Sequence, residues 1–147
     1  MKKIMPPTYF MALLLLSLAS HFIFPIVKMI FPPYNYLGLI LIIFGIIINL
    51  WTDSLFKKNQ TTVKPNKVPS PIIINGPFKI SRHPMYLGMT SILLGAAIFM
   101  GSLVTFTFPA IFIIIMEKLF IPMEEKNMEN KFKDEFRKYK NRVRRWI

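Results

Sequence analysis

The chain is expected to fold as an all-α integral membrane bundle of four transmembrane helices with a cytoplasmic C-terminal amphipathic helix. Three observations predict this. Hydrophobic residues fill 53% of the 147 positions, charged residues only 18%, and the mean hydropathy is +0.44, which is more apolar surface than a soluble domain of this size buries. The apolar residues form long uncharged runs. The basic residues lie in blocks between those runs, as in the loops of an integral protein.

These features also exclude some function classes. A net charge of +12 would suit nucleic acid only if the basic residues formed one face of a soluble domain, so no nucleic-acid partner is expected. Cysteine is absent, which removes a disulfide framework, a thiolate metal site and a cysteine nucleophile. The length suits a single domain over residues 1–147.

The first uncharged run, Ile4 to Val27, is too long for a signal-peptide core, and no small-residue cleavage site follows it. It predicts a retained spanning helix near Tyr9 to Ile30. The run from Met29 to Thr52 predicts a second near Tyr36 to Phe56. The third, His83 to Met116, has 34 residues, too many for one ordinary span and slightly few for two.

Charge decides between one helix and two. Six Lys and Arg lie between Lys57 and Arg82, and ten from Lys118 onward. Two spans keep both blocks, with Lys2 and Lys3, on one side of the membrane; the positive-inside rule makes that side cytoplasmic and places both termini there. The predicted spans are Met85 to Met100 and Leu103 to Phe120, with a turn at Gly101-Ser102 and a kink at Pro109. Lys28, the one basic residue near the outer face, can snorkel. KKNQTTVKPNKVPSP, polar with three prolines, reads as an extended loop.

In the tail, Met128, Phe132, Phe136, Tyr139 and Val143 recur at helical spacing. Pro122 suits a first turn. The expectation is an amphipathic helix over 122–143, lying against the membrane or over the bundle mouth.

Chemistry-bearing residues gather at two places on the cytoplasmic side. Arg82, His83 and Tyr86 stand at the start of the third span, and Glu124 and Glu125 just beyond the fourth. A tight hairpin makes these helices neighbours. Spacing alone leaves two readings open. Arg, His and Tyr serve as interfacial anchors, and first-turn carboxylates complement a helix dipole; the same groups would equally hold a small zwitterionic, partly aromatic molecule.

The stretch GPFKISRHPMYLG resembles the signature of the isoprenylcysteine carboxyl methyltransferase and phospholipid methyltransferase superfamily, in which Arg-His-Pro-x-Tyr-x-Gly precedes a membrane helix. The tail EEKNMENKFKDEFRKYKNRVRR, from Glu124 to Arg145, is similar to the family's second motif. Together the motifs and hairpin cover residues 70–145. The resemblance implies an integral membrane enzyme with S-adenosyl-L-methionine as methyl donor and a lipophilic or lipid-linked acceptor, as in isoprenylcysteine carboxyl O-methylation. It places Ile72, Ile73, Phe78, His83, Pro84, Met85, Tyr86, Glu124 and Glu125 at cofactor-binding positions, and Arg82 and Glu124 at catalytic ones; no metal is implied. The cofactor offers hydroxyls and an ammonium to carboxylates, a carboxylate to Arg or His, and adenine to apolar walls.

Some positions depart from the family. Lys133 stands where members have Gly, and Phe136 where they have Tyr. Lys118, not Arg, precedes the Glu pair and cannot make a bidentate fork. The Arg-His-Pro-x-Tyr pattern also resembles membrane sterol reductases that use a nicotinamide cofactor, and a non-enzymatic protein retaining the fold is a further alternative.

Overall fold

The computed structural model describes residues 5–24, 27–61, 67 and 71–147. Lys2, Lys3 and most of the polar loop expected after Lys57 lie outside the described residues. The chain is an all-α membrane bundle. Helices α1 (Pro6–Ile23), α2 (Leu37–Lys58), α3 (Pro84–Met100), α4 (Thr107–Ile115) and α5 (Ile121–Arg142) follow in order. Three helical runs are long and apolar enough to cross a membrane, Pro6–Ile23, Tyr34–Lys58 and the run beginning at Leu103, and α3 is a shorter apolar helix.

Proline sets several boundaries. Pro6 and Pro7 open α1, where their missing N–H groups are orphans in any case. The first helix ends at Ile23 rather than near Ile30, because Phe24, which precedes Pro25, leaves the helical region (φ −127°, ψ 69°). Pro109 sits in the first turn of α4.

The departure from α-helical geometry comes later, at a π-turn over Met116–Phe120. Pro122 has no N–H to give the carbonyl of Lys118, so the ladder widens and the Ile121 N–H bonds to the Met116 carbonyl. The expected C-terminal helix is α5, and it follows the fourth span directly through this π-turn.

α3 forms the centre and contacts α1, α2 and α4. Leu93, Ala97, Phe112 and Met116 are almost fully enclosed, whereas Leu15, Phe22, Ile40, Ile47 and Leu50 of α1 and α2 point outward. That apolar exterior suits lipid. α2 approaches α3 through glycines spaced seven apart, Gly38 and Gly45 against Gly95 and Gly88, the small-residue contact that brings membrane helices together.

At the end of α3 the chain turns on Gly101 (φ 71°), whose left-handed conformation caps the helix. A Cβ there would lie 2.3 Å from the Ile30 carbonyl oxygen. Backbone hydrogen bonds from Met29 to Gly101 (2.7 Å) and from Leu103 to Val27 (2.9 Å) join this turn to the loop after α1. His21 Nδ1 meets Ser102 Oγ at 2.8 Å.

α5 is not a straight rod. Lys133 has φ 42° and ψ −113°, which folds the helix into two arms. The consequence is visible at Arg82, which bonds both Glu125 in the first arm and the carbonyls of Lys140 and Val143 at the end of the second. In a straight helix residues 125 and 143 would lie about 27 Å apart. The stripe Met128, Phe132, Phe136, Tyr139 and Val143 is thus shared by two arms, and it packs on Leu55, Phe56, Ile72, Ile73 and Phe78.

Candidate functional site

The site lies where the start of α3, the π-turn and both ends of α5 meet. The Glu pair lies beyond the apolar stretch that ends near Ile121. Ser81 and His83 shape the approach to α3: the His83 N–H donates to Ser81 Oγ (3.1 Å), and Pro84 opens the helix.

The side chains form one connected set. Tyr86 Oη donates to Glu124 Oε1. His83 Nδ1 lies 3.2 Å from Glu124 Oε2, and its Nε2 lies 3.5 Å from Glu125 Oε1. The His83 and Tyr86 rings stack, with centroids 5.7 Å apart and planes 7° from parallel. Arg82 Nη2 donates to Glu125 Oε1 at 2.7 Å. From the other side Arg145 Nη2 donates to Glu125 Oε2 at 2.9 Å, and its Nη1 to Glu117 Oε2 at 3.0 Å. Trp146 Nε1 completes the set by donating to Glu117 Oε1 at 2.7 Å.

Charge is balanced locally. Burial would push the Glu125 carboxyl upward, but His83, Arg145 and Arg82 outweigh it and hold the group far below the usual carboxylate range. Burial pulls the His83 imidazole down; Glu124 and Glu125 more than reverse this and raise it above its ordinary 6.5. Two donors in this set are buried without a hydrogen-bond partner among the described residues, Arg82 Nε and His83 Nε2.

The structure brings Arg82, His83, Tyr86, Glu124 and Glu125 together. Pro84 is buried beneath them and Met85 is half-buried. Ile72, Ile73 and Phe78 occupy a neighbouring apolar cluster, where the Tyr139 hydroxyl donates to the Phe78 carbonyl at 2.7 Å and Phe56 meets Phe78 edge to face. Lys118 is exposed on the π-turn.

Sequence reasoning assigned no site role to Glu117, Arg145 and Trp146. Arg145 closes the second motif; the signals of the other two were an acidic residue adjoining an apolar run and an aromatic residue closing a basic one. An open groove of about 680 Å³ lies between the arms of α5, lined by Glu125, Glu129, Lys133, Arg137, Lys140 and Arg145 among others.

Comparison with known proteins gives one family and one relative. The phospholipid methyltransferase family model matches residues 34–135, which run from the turn before α2 into the second arm of α5. An uncharacterized protein of Haemophilus influenzae is 40% identical over 63 residues, 43% of this chain and 100% of that relative. No solved structure matches.

Proposed function

The chain belongs to the phospholipid methyltransferase family, whose members are membrane methyltransferases, and from that premise we propose that it transfers a methyl group from S-adenosyl-L-methionine to a lipophilic acceptor, in the manner of an isoprenylcysteine carboxyl O-methyltransferase. One observation carries the reading: among the described residues the buried Arg82 Nε has no hydrogen-bond partner, and the buried His83 Nε2 reaches only Glu125 Oε1, at 3.5 Å. A buried donor left unpaired costs about 1–3 kcal/mol, and a ligand carboxylate would satisfy both. The acidic side of the set fits the same molecule. Each oxygen of Glu124 keeps a second lone pair after its contact with Tyr86 or His83, available to an ammonium or to ribose hydroxyls.

His83, Pro84, Met85, Tyr86, Glu124 and Glu125 are assigned to the polar part of the cofactor, and Ile72, Ile73 and Phe78 to the wall beside it. When bound, the cofactor supplies an electrophilic methyl carbon on a sulfonium. Displacement there requires alignment and exclusion of water more than acid or base. Arg82 orients the anionic end of cofactor or acceptor. A carboxylate acceptor is already ionised near neutral pH; an amine acceptor would yield its proton to Glu124.

A lipophilic acceptor reaches this membrane-boundary site from the bilayer, past the exposed Leu119. The basic residues around this end, Lys57, Lys58, Lys79 and those of α5, support a cytoplasmic orientation for it.

The deciding experiment is equilibrium binding of labelled S-adenosylmethionine to detergent-purified protein. Saturable binding is expected. Its absence in protein that retains helical circular dichroism would overturn the reading, and saturable NADPH binding instead would support a reductase. Methyl transfer to a prenylated cysteine then separates an enzyme from a binding protein.

A further inference from the structure

The family match ends at residue 135, yet the charged set is completed ten positions later. We propose that Arg145 is a positioning residue of the methyltransferase site, acting through Glu125. This rests on the function proposed above.

The first argument is the geometry at Glu125. Its side chain is only 6% exposed. Arg145 Nε lies 3.2 and 3.3 Å from its two oxygens, and Nη2 lies 2.9 Å from Oε2. A forked contact fixes the rotation of a carboxylate as well as its charge. With Oε2 held by Arg145 Nη2, Oε1 is directed to Arg82 Nη2 and His83 Nε2.

The second argument is how firmly Arg145 itself is held. Chain ends ordinarily fray. Here the Arg145 carbonyl accepts from Ser81 Oγ (2.6 Å), and the Arg144 carbonyl accepts from the Arg82 N–H (3.0 Å). Glu117 takes Nη1, and its other oxygen is fixed by Trp146. The segment is thus tied to the start of α3, to the π-turn and to the first arm of α5.

The third argument is electrostatic. Glu117, Glu124 and Glu125 bring three carboxylates to one end of the bundle, against Arg82 and His83. Without Arg145 the buried Glu125 would keep one guanidinium and one imidazole, and His83 would face a less compensated anion. Loss of Arg145 should therefore bind the His83 proton more tightly as well as loosen Glu125.

The test uses full-length protein in detergent with Arg145→Gln and Arg145→Lys. Two quantities are read: affinity for S-adenosylmethionine, and the titration of His83 followed by NMR of the labelled imidazole, which faces Glu124, Glu125 and the Tyr86 ring. Arg145→Gln should weaken binding about tenfold and raise the His83 midpoint. Arg145→Lys, which keeps the charge without the fork, should restore the midpoint but recover only part of the affinity.

An unmoved His83 midpoint in Arg145→Gln, in protein whose thermal unfolding shows it folded, would reduce Arg145 to a tether. Should Arg145→Gln fail to fold, Trp146→Phe loosens the same clamp by one hydrogen bond and must shift the midpoint in the same direction. If wild type does not bind S-adenosylmethionine, the cofactor assignment fails, and the His83 titration still decides whether Arg145 governs Glu125.

Discussion

Gly45 and Gly88 face each other across α2 and α3 so closely that a Cβ on Gly45 would lie 2.4 Å from the Gly88 carbonyl oxygen. The obstacle is backbone, so no rotamer change relieves it. Because His83 caps α3 and Tyr86 lies in its first turn, this contact sets the position of the site as well as the stability of the bundle. Gly45→Ala should destabilise the protein by about 1–3 kcal/mol, the usual cost of overpacking. Leu50→Ala, on the lipid-facing surface of the same helix, should not. Thermal unfolding in detergent compares the two; equal midpoints would mean that the helices separate without penalty.

Lys133 occupies a backbone conformation that costs a side-chain-bearing residue about 1–3 kcal/mol. The family pattern has Gly at this position, so the fold there retains a turn that this chain makes with strain. Lys133→Gly should raise the unfolding midpoint, and Lys133→Val, with a stiff branched Cβ, should lower it. A drop in the glycine variant would show that the Lys133 side chain contributes more than its backbone loses.

The spans, the basic blocks and the two motifs were legible because each depends on residues close in sequence. Hydropathy located the helices to within a turn except where Pro25 and Pro122 act on their neighbours. The step pattern of Met128, Phe132, Phe136, Tyr139 and Val143 showed a buried face but not its partner, the segment around Ile73 and Phe78. A straight helix and two folded arms give the same spacing, so only the backbone at Lys133 distinguishes them. The seven-residue spacing of Gly38 and Gly45, repeated by Gly88 and Gly95, was readable in principle as a close helix contact. Arg145 was readable as the end of the second motif, but its contact with Glu125 was not, because that depends on α5 reversing to meet Arg82.

Replacing both Glu124 and Glu125 by Gln keeps shape and removes charge. Charge-assisted hydrogen bonds are worth about 1.5–3 kcal/mol each, so affinity for S-adenosylmethionine should fall at least tenfold. Undiminished binding by folded double variant would return the pair to a helix-dipole role.

Arg82→Lys and His83→Phe separate recognition from anchoring. Lys and Phe also partition to the membrane boundary, so insertion should be unaffected. Neither reproduces the donors directed from Arg82 and His83. Cofactor binding or methyl transfer should fall at least tenfold, about 1.4 kcal/mol, and wild-type activity in both variants would leave this stretch as an anchor alone.

The pH dependence of stability follows from His83 and Glu125 with opposite signs. The folded protein raises His83 above its ordinary 6.5, so its contribution is complete below that pH and is lost as pH rises through the folded value. Glu125 is depressed below its ordinary 4.5, so its contribution is present above that pH and is lost as pH falls through the folded value. Stability should therefore be greatest between about pH 4.5 and 6.5 and decline on the alkaline side as pH rises through the folded value of His83. His83→Phe should flatten the alkaline limb and shrink the acid limb without abolishing it, because Arg145 and Arg82 still depress Glu125. Unfolding midpoints measured from pH 4 to 9 would show this directly. An alkaline decline that survives in His83→Phe would assign it to another group and remove the ion pairs of His83 from the account of the site.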